Sequence, residues 1–487
     1  MSTISNYLTT TRLRRSEVQG RTIVTESESD RGRILFCPAF RRLQQKAQVF
    51  SMEPNAAVRS RLTHSLEVSQ LGRFIADEIC GRMADKLDPL ERTAFGNFVE
   101  AACLLHDIGN PPFGHFGEAA IQKWFSENGH DLIKKAVELK HGDIGTTDPR
   151  LVNALADFKE FDGNPQGLRV VARLQWNTDE FGLNLTKTTL ASFLKYIRCA
   201  GDKSSGNFTK KAGYFSTEVS IVNSVWSEFN YSKPQRFPLA YVMEAADDIA
   251  YCISDLEDSI EKGVVSEDSA LEEIEKRFLK CEIPNTDSAL AEIKSAITAM
   301  RSHKRTDGKE FTYTDFRTTL NRIIVAYVAD RYVEFENALL KGELDSLLPR
   351  TSAAGAILET LKEYCRDYVY IHDSVQRTEL AGYTAIRGLL DHYATLLCLS
   401  REAFSAALRN ERKDAFGNSI MIESKLLSLF PEKYKKVYEY HAASIGSDNE
   451  GKFREWNARA HLIVDFISGM TDDFAMTTYR TLSGMRL

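Results

Sequence analysis

Ala102-Cys103-Leu104-Leu105-His106-Asp107-Ile108-Gly109-Asn110-Pro111-Pro112-Phe113-Gly114-His115-Phe116-Gly117-Glu118 is the stretch from which the rest of the chain is best read. Phe98 to Ile108 is apolar on nearly every side, as in a helix buried in a core. Gly109-Asn110-Pro111-Pro112 stops it, because proline disfavours helix in the residue before it and lacks an amide donor. A second helix is expected from Gly114 to about Glu127. His106-Asp107 therefore sits at a helix end, where both side chains can reach one ion. His115 and Glu118 lie three apart on the following helix, so they are neighbours on one face. A carboxylate bonded to an imidazole fixes its tautomer and raises its basicity. The stretch joins a metal-capable pair to a proton-transfer pair across a tight turn.

Outward from this point the pattern is helical. The 487 residues include 43% hydrophobic and 27% charged residues, and glycine and proline fall mostly between long periodic segments. Few stretches alternate with period two, so the fold class is all-α. Residues 38–50 read as a short helix with Phe40, Leu43, Ala47 and Phe50 on one side. A second helix starts near Arg59-Ser60-Arg61 and runs to about residue 84. Residues 128–165 are less regular. The cluster at 161–167 leads into a helix through Leu174, and Leu183–Thr186 precedes a helix containing Lys195 and Tyr196. Residues 200–213 form the clearest loop. Residues 238–262 make one long helix, opened by Pro238. Its Glu244, Asp247, Tyr251 and Asp255 form a polar stripe, with Asp258 and Asp248 left to the solvent face. Residues 263–487 are further helices with a polar break at 301–309, and the best soft boundary falls near 262.

Composition narrows the function classes. The net charge of -6 gives no global basic signature, so nucleic-acid binding would need a local patch such as Arg12 to Arg15 or Lys433 to Lys436. No apolar run reaches the roughly 18 residues of a membrane span, and the N-terminus has no signal-peptide pattern. The eight cysteines include no Cys-x-x-Cys pair and read as reduced core thiols of a cytoplasmic protein. The Arg-rich residues 1–35 are either a solvated arm or a lining for a phosphate site or oligomer contact.

A divalent ion that activates water needs several imidazole or carboxylate ligands and an open position. His64, His106, Asp107 and Asp247 supply two imidazoles and two carboxylates from three separate helices. Asp247 stands mid-helix in Ala-Ala-Asp-Asp, where a buried carboxylate is costly without a partner. Arg61, one helical turn before His64, points toward the same site and can neutralise phosphate.

Together, Arg61-x-x-His64, His106-Asp107-x-Gly-Asn-Pro-Pro-Phe-Gly-His115-x-Gly-Glu118 and Glu244-Ala-Ala-Asp247-Asp248-Ile-Ala-Tyr251-x-x-x-Asp255 resemble the HD-domain deoxynucleoside triphosphate triphosphohydrolases, most of all bacterial members acting on dGTP. The resemblance extends over most of the chain, including Phe40–Lys46 and Ile467–Asp472. It implies an HD-domain helical bundle at 56–262, an N-terminal arm and substrate-lining helix at 1–55, and a C-terminal helical region at 263–487. It implies hydrolysis of dGTP to deoxyguanosine and tripolyphosphate by water attack at the α-phosphorus. His64, His106, Asp107 and Asp247 would hold one divalent ion, Mg²⁺ or Mn²⁺ first, Co²⁺ or Ni²⁺ also suiting the ligands. His115 with Glu118 would handle proton transfer. Arg61, Lys195 and Lys211 would bind phosphate oxygens beside Tyr196, and Gln48, Tyr251 and Asp255 would read the deoxyribose. Tyr383 and Asp391, in the family-like stretch 380–391, are candidates for the base pocket. By analogy the protein is a homo-oligomer, a hexamer in the family. Two alternatives stay open: a broader dNTP triphosphohydrolase, and a single-stranded-DNA-binding protein with a secondary HD site.

Overall fold

The computed structural model describes residues 3–137, 145–304 and 310–485. Among these the fold is all-α apart from one short parallel pairing of Arg198–Cys199 (β1) with Ala212–Tyr214 (β2). The first helices are α1 (Ile23–Leu35), α2 (Pro38–Arg42), α3 (Arg61–Arg82), α4 (Pro89–Leu105), α5 (Gly114–Ala136), α6 (Pro149–Lys159), α7 (Gly163–Arg169), α8 (Lys187–Phe193), α9 (Val219–Glu228) and α10 (Pro238–Glu261). There follow α11 (Glu267–Phe278), α12 (Leu290–Arg301), α13 (Tyr313–Glu334), α14 (Glu336–Leu340), α15 (Ala353–Tyr364) and α16 (Asp373–Cys398). The last five are α17 (Arg401–Leu408), α18 (Met421–Ser428), α19 (Glu432–Ala443), α20 (Asn449–Ser468) and α21 (Asp472–Leu482). No helix among the described residues is long and apolar enough to cross a membrane.

The centre is α4, flanked by α1, α3, α8 and α10. It begins at Pro89, behind a reciprocal cap of Asp88 and Glu91. Phe95, Phe98, Val99 and Ala101 to Leu105 are buried. Gly72 lets α3 cross α4 closely, since a Cβ there would stand 2.6 Å from Cys103 Sγ. That crossing brings His64, two turns before Gly72, opposite His106, which follows Cys103. All eight cysteines are free, and Cys103 and Cys252 are buried. Helices beyond residue 262 pack onto the core, α13 on α3 and α16 on α5.

Several elements differ from the sequence reading. The helix expected over 38–50 ends at Arg42, with one 3-10 turn at Leu43–Gln45. Lys46 turns extended because its buried ammonium is held by the carbonyls of Asn110 and Ser468, at 2.5 and 2.7 Å. Helix α5 runs beyond Glu127 to Ala136, and α6 lies within the stretch read as irregular; residues 138–144 fall outside the description. Lys195 and Tyr196 lie beyond the end of α8, in the link to β1. The loop of 200–213 carries a 3-10 turn at Asn207–Thr209 and most of β2, and Arg198 Nε donates to the Thr209 carbonyl at 2.7 Å. The polar break begins where α12 ends, and its residues 305–309 lie outside the description.

The N-terminal arginines do structural work. Arg12 is buried between Glu26 and Asp30 of α1 and also donates to the Asn184 carbonyl. Arg14 pairs with Asp179 at 2.5 Å. Arg12 is thus neither solvated nor part of a phosphate lining.

Candidate metal and phosphate site

Ser60 caps α3, its side chain accepting from Thr63 N, so Arg61 and His64 occupy the first turn. His64 is fully buried. His106 caps the end of α4, where its Nδ1 meets the Cys103 carbonyl at 2.7 Å, leaving Nε2 directed inward. Asp247 comes from the middle of α10. Its Oδ1 lies 3.6 Å from His64 Nε2 and 3.5 Å from His106 Nε2. One ligand atom from each of His64, His106 and Asp247 lies within 4.8 Å of the others. His64 Nδ1 and Nε2 and His106 Nε2 are buried without a hydrogen-bond partner. Buried polar atoms are normally satisfied, so this orphaned set with a converging carboxylate fits a divalent ion.

Asp107 stands beside this trio and is not one of its three converging donors. Its Oδ2 lies 3.6 Å from His106 Nε2 but accepts from Arg61 Nη1 at 2.6 Å, while Oδ1 accepts from Asn110 Nδ2 at 2.6 Å. Burial opposes its charge, yet the Arg61 guanidinium and the two imidazoles hold the carboxyl at about 2. Lys195 Nζ lies 3.2 Å from Asp247 Oδ2. Glu244, paired with buried Arg236 at 2.7 Å, stands 4.0 Å from the same ammonium.

His115 and Glu118 meet as their spacing predicts. His115 Nδ1 and Glu118 Oε2 are 2.7 Å apart, with the imidazole exposed and the carboxylate buried. The bond to Glu118 pushes the imidazole pKa up. Glu118 is fixed from behind by the Gly163 amide, 2.8 Å from Oε1. This is why the two glycine-rich turns meet. A Cβ on Gly109 would fall 2.2 Å from the Gly163 carbonyl, and one on Gly163 1.8 Å from Asn110 Oδ1. Phe113 and Gly114 take positive φ, 61° and 54°, to reverse the chain into α5.

A cavity of about 740 Å³ opens over these groups. Gln48, Arg61, His106, Asp107, His115, Glu118, Lys195, Tyr196, Lys211, Asp247 and Tyr251 all line it. Gln48 Oε1 is buried without a partner. Lys211 pairs with Asp162 at 2.5 Å, and Gly213 packs on the Tyr196 backbone, which keeps Lys195, Tyr196 and Lys211 together. Asp255 is buried behind the wall: Tyr251 and Tyr370 share a bond of 2.6 Å between hydroxyls, and Tyr370 donates to Asp255 Oδ2 at 2.6 Å. Burial pushes the Asp255 carboxyl up to about 7 despite the Tyr370 bond.

The polar stripe on α10 needs two corrections. Asp258 is buried and paired with Arg59, and Asp248 lines the cavity. Helical spacing alone assigns both to solvent, because it cannot tell a wet cavity from bulk water. The base-pocket candidates lie outside the cavity lining. Asp391 accepts from Trp124 Nε1 at 2.6 Å, which ties α16 to α5. Tyr383 packs beside Arg387 on α16, and neither Tyr383 nor Asp391 lines the cavity. The turn before Tyr383 does, through Gln376, Glu379 and Leu380. Sequence reasoning missed Asn110, Asp162 and Tyr370, as well as Lys362 and Arg366, which line the cavity from the end of α15. A basic pair four apart reads as surface, and nothing local to Tyr370 marks it.

The C-terminal motif also finds a role. Asp472, at the start of α21, accepts from Ala47 N and Phe113 N, both at 3.0 Å, clipping the Gln48 loop to the turn before His115.

Residues 61–165 match the HD domain model. Over 482 residues the chain is 37% identical to a probable deoxyguanosinetriphosphate triphosphohydrolase of Pseudomonas aeruginosa, covering 95% of this chain and 94% of the relative. It is 37% identical over 485 residues to the deoxyguanosinetriphosphate triphosphohydrolases of Salmonella typhimurium and Salmonella schwarzengrund, covering 93% of each partner in both cases. The matched span takes in the HD residues and the C-terminal helices alike, and the chain is an enzyme of the HD-domain deoxyguanosinetriphosphate triphosphohydrolase family.

Proposed function

We propose that the protein hydrolyses dGTP to deoxyguanosine and tripolyphosphate, with a divalent ion held by His64, His106 and Asp247 and by Asp107 once Arg61 turns to phosphate. The observation that carries this reading is one cavity lined by His106 and Asp247 of the ligand trio, the His115–Glu118 pair and the cationic side chains of Arg61, Lys195 and Lys211, with His64 buried beneath it. When bound, the ion supplies Lewis-acid polarisation and charge neutralisation. The ion is read as Mg²⁺ or Mn²⁺, with Co²⁺ and Ni²⁺ also suiting a mixed imidazole and carboxylate set.

The remaining steps belong to the chain. Arg61, Lys195 and Lys211 bind non-bridging phosphate oxygens and hold the ester in line. His115, with Nδ1 held by Glu118, presents Nε2 to the cavity and passes a proton at the α-phosphate, where the sugar 5′-oxygen leaves. Tyr251, held through Tyr370 to Asp255, forms a wall against the deoxyribose that leaves no room for a 2′-hydroxyl. Gln48 offers its unpartnered amide oxygen to the sugar from the opposite side.

The preference for guanine follows the relatives' names and the cytoplasmic setting follows their family; a homo-oligomer is part of the same reading. Incubation of the metal-loaded enzyme with each of the four dNTPs, followed by chromatography, tests the substrate. Fastest turnover of dGTP is expected. Equal rates for all four would replace the guanine claim with the broader dNTP hydrolase, and tight salt-sensitive DNA binding without turnover would favour the nucleic-acid reading.

A further inference from the structure

A second cavity, of about 570 Å³, lies between α6, α9, α19 and α20, lined by residues separate from those of the catalytic cleft. Arg173 forms part of its wall, in the π-helical turn Val170–Leu174 that continues α7. Its side chain is over nine-tenths buried, at 8% exposure, yet its Nε has no hydrogen-bond partner. The guanidinium makes one hydrogen bond, from Nη1 to the Glu180 carbonyl at 3.2 Å. Among the described residues no carboxylate lies at ion-pair distance. The nearest in influence, Glu218, has Oε1 occupied by Arg169 at 3.0 Å and Oε2 by Thr217 at 2.7 Å. Arg169 is itself saturated by Glu218 and Asp465.

Buried arginines are found paired, because five donors and a full charge are expensive to strip of water. Arg173 is the exception, and it faces a cavity. His441, on the same wall, has Nε2 buried without a partner. Burial and the guanidiniums of Arg169 and Arg173 press that imidazole down to about 3, so it is neutral at pH 7 and can donate a hydrogen bond. Arg150 and Arg454 stand at the rim with the single carboxylate of Glu450, and Arg150 is already paired with Asp148. Cations outnumber anions around this cavity, which is the arrangement that binds oxyanions.

We propose that this cavity is a second binding site, for a small phosphate-bearing anion, held by Arg173 with His441 beside it and Arg454 at the mouth. The guanidinium fork matches two phosphate oxygens, and the cavity has room for a phosphomonoester as well as for free phosphate. The α7 segment that ends near Arg173 begins at Gly163, whose amide fixes Glu118, so an occupant here sits on the same rigid piece that orients His115.

Equilibrium dialysis of the full-length enzyme against radiolabelled inorganic phosphate, and separately against a labelled sugar phosphate, tests this. The wild type is expected to show two classes of phosphate site. Arg173→Met should abolish one class, and Arg61→Met should weaken the other. Phosphate arms and sugar-phosphate arms distinguish a free-anion site from a phosphomonoester site. Arg454→Gln, an exposed change that cannot unfold the core, should weaken the same class as Arg173→Met. Unchanged binding in both Arg173→Met and Arg454→Gln would overturn the proposal. So would binding of a single-stranded oligonucleotide at Arg173 with no retention of either small anion, which would make the cavity part of a nucleic-acid surface.

Discussion

Arg61 Nη1 donates to Asp107 Oδ2 at 2.6 Å, so a residue read as a phosphate donor and one read as a metal ligand are each other's partner. The pair is nearly buried, and both groups face the same cavity. Substrate phosphate and a divalent ion would compete for the two halves of this bond. Arg61→Met is therefore expected to retain metal and lower kcat/KM by about 100- to 1,000-fold, the usual cost of removing one donor to developing charge. Steady-state kinetics with parallel metal analysis reads both. Loss of metal along with activity would mean that Arg61 chiefly positions Asp107.

His115 and Asp247 should separate under mutation. His115→Ala leaves His64, His106 and Asp247 intact, so it should bind metal as the wild type does and lose about 100- to 10,000-fold in turnover. Asp247→Asn should lose metal and activity together. Metal content by mass spectrometry is the discriminating measurement, and a metal-free His115→Ala protein would show that the roles are misassigned.

Sugar discrimination is assigned to the Tyr251–Tyr370–Asp255 chain of hydrogen bonds. Tyr251→Ala opens the wall and should raise GTP turnover relative to dGTP by about 10- to 100-fold, the range over which a pocket rejects one added hydroxyl. Tyr370→Phe cuts both bonds while keeping the ring, and should raise KM for dGTP with a smaller effect on kcat. An unchanged GTP to dGTP ratio in Tyr251→Ala would move the discrimination elsewhere.

Stability should carry an acid-side signature from Asp157. This carboxylate is fully buried and accepts from His461 Nε2 at 3.0 Å and Ser216 Oγ at 2.6 Å. Burial pushes its pKa up, but the His461 and Ser216 bonds win and hold it below the usual carboxylate value. A depressed folded pKa contributes stability above the unfolded pKa, near 4, which is lost as pH falls through the folded value. Asp157→Asn should therefore be less stable at pH 7, by about 3 kcal/mol for a broken buried network, and the gap to wild type should narrow below pH 4. Thermal melts from pH 7 down to pH 3 test it; a gap independent of pH would contradict the assignment.

Much of the site is legible in the sequence because it is local. His106-Asp107, the Gly-Asn-Pro-Pro turn and His115-x-x-Glu118 lie within one helix–turn–helix, where spacing fixes geometry. His64 and Asp247 join His106 through the motif resemblance, while the meeting of His64 with His106 in space depends on Gly72 letting α3 approach Cys103. Asp107 is legible as a metal-capable type beside His106, while its hydrogen bonds to Arg61 and Asn110 are visible only in the fold. For Arg12 and Arg14 a solvated arm and a phosphate lining both stay open in the sequence, because Glu26, Asp30 and Asp179 are partners that only the fold supplies. Tyr383 and Asp391 lie on the helix that borders the cleft, but the turn facing it is the one before them.

The most direct test of the central claim follows the oxygen. The metal-loaded enzyme is incubated with dGTP in heavy-oxygen water, and the products are separated and weighed. Attack of water at the α-phosphorus predicts deoxyguanosine without label and tripolyphosphate carrying it. Label in deoxyguanosine, or release of pyrophosphate with dGMP, would contradict the account.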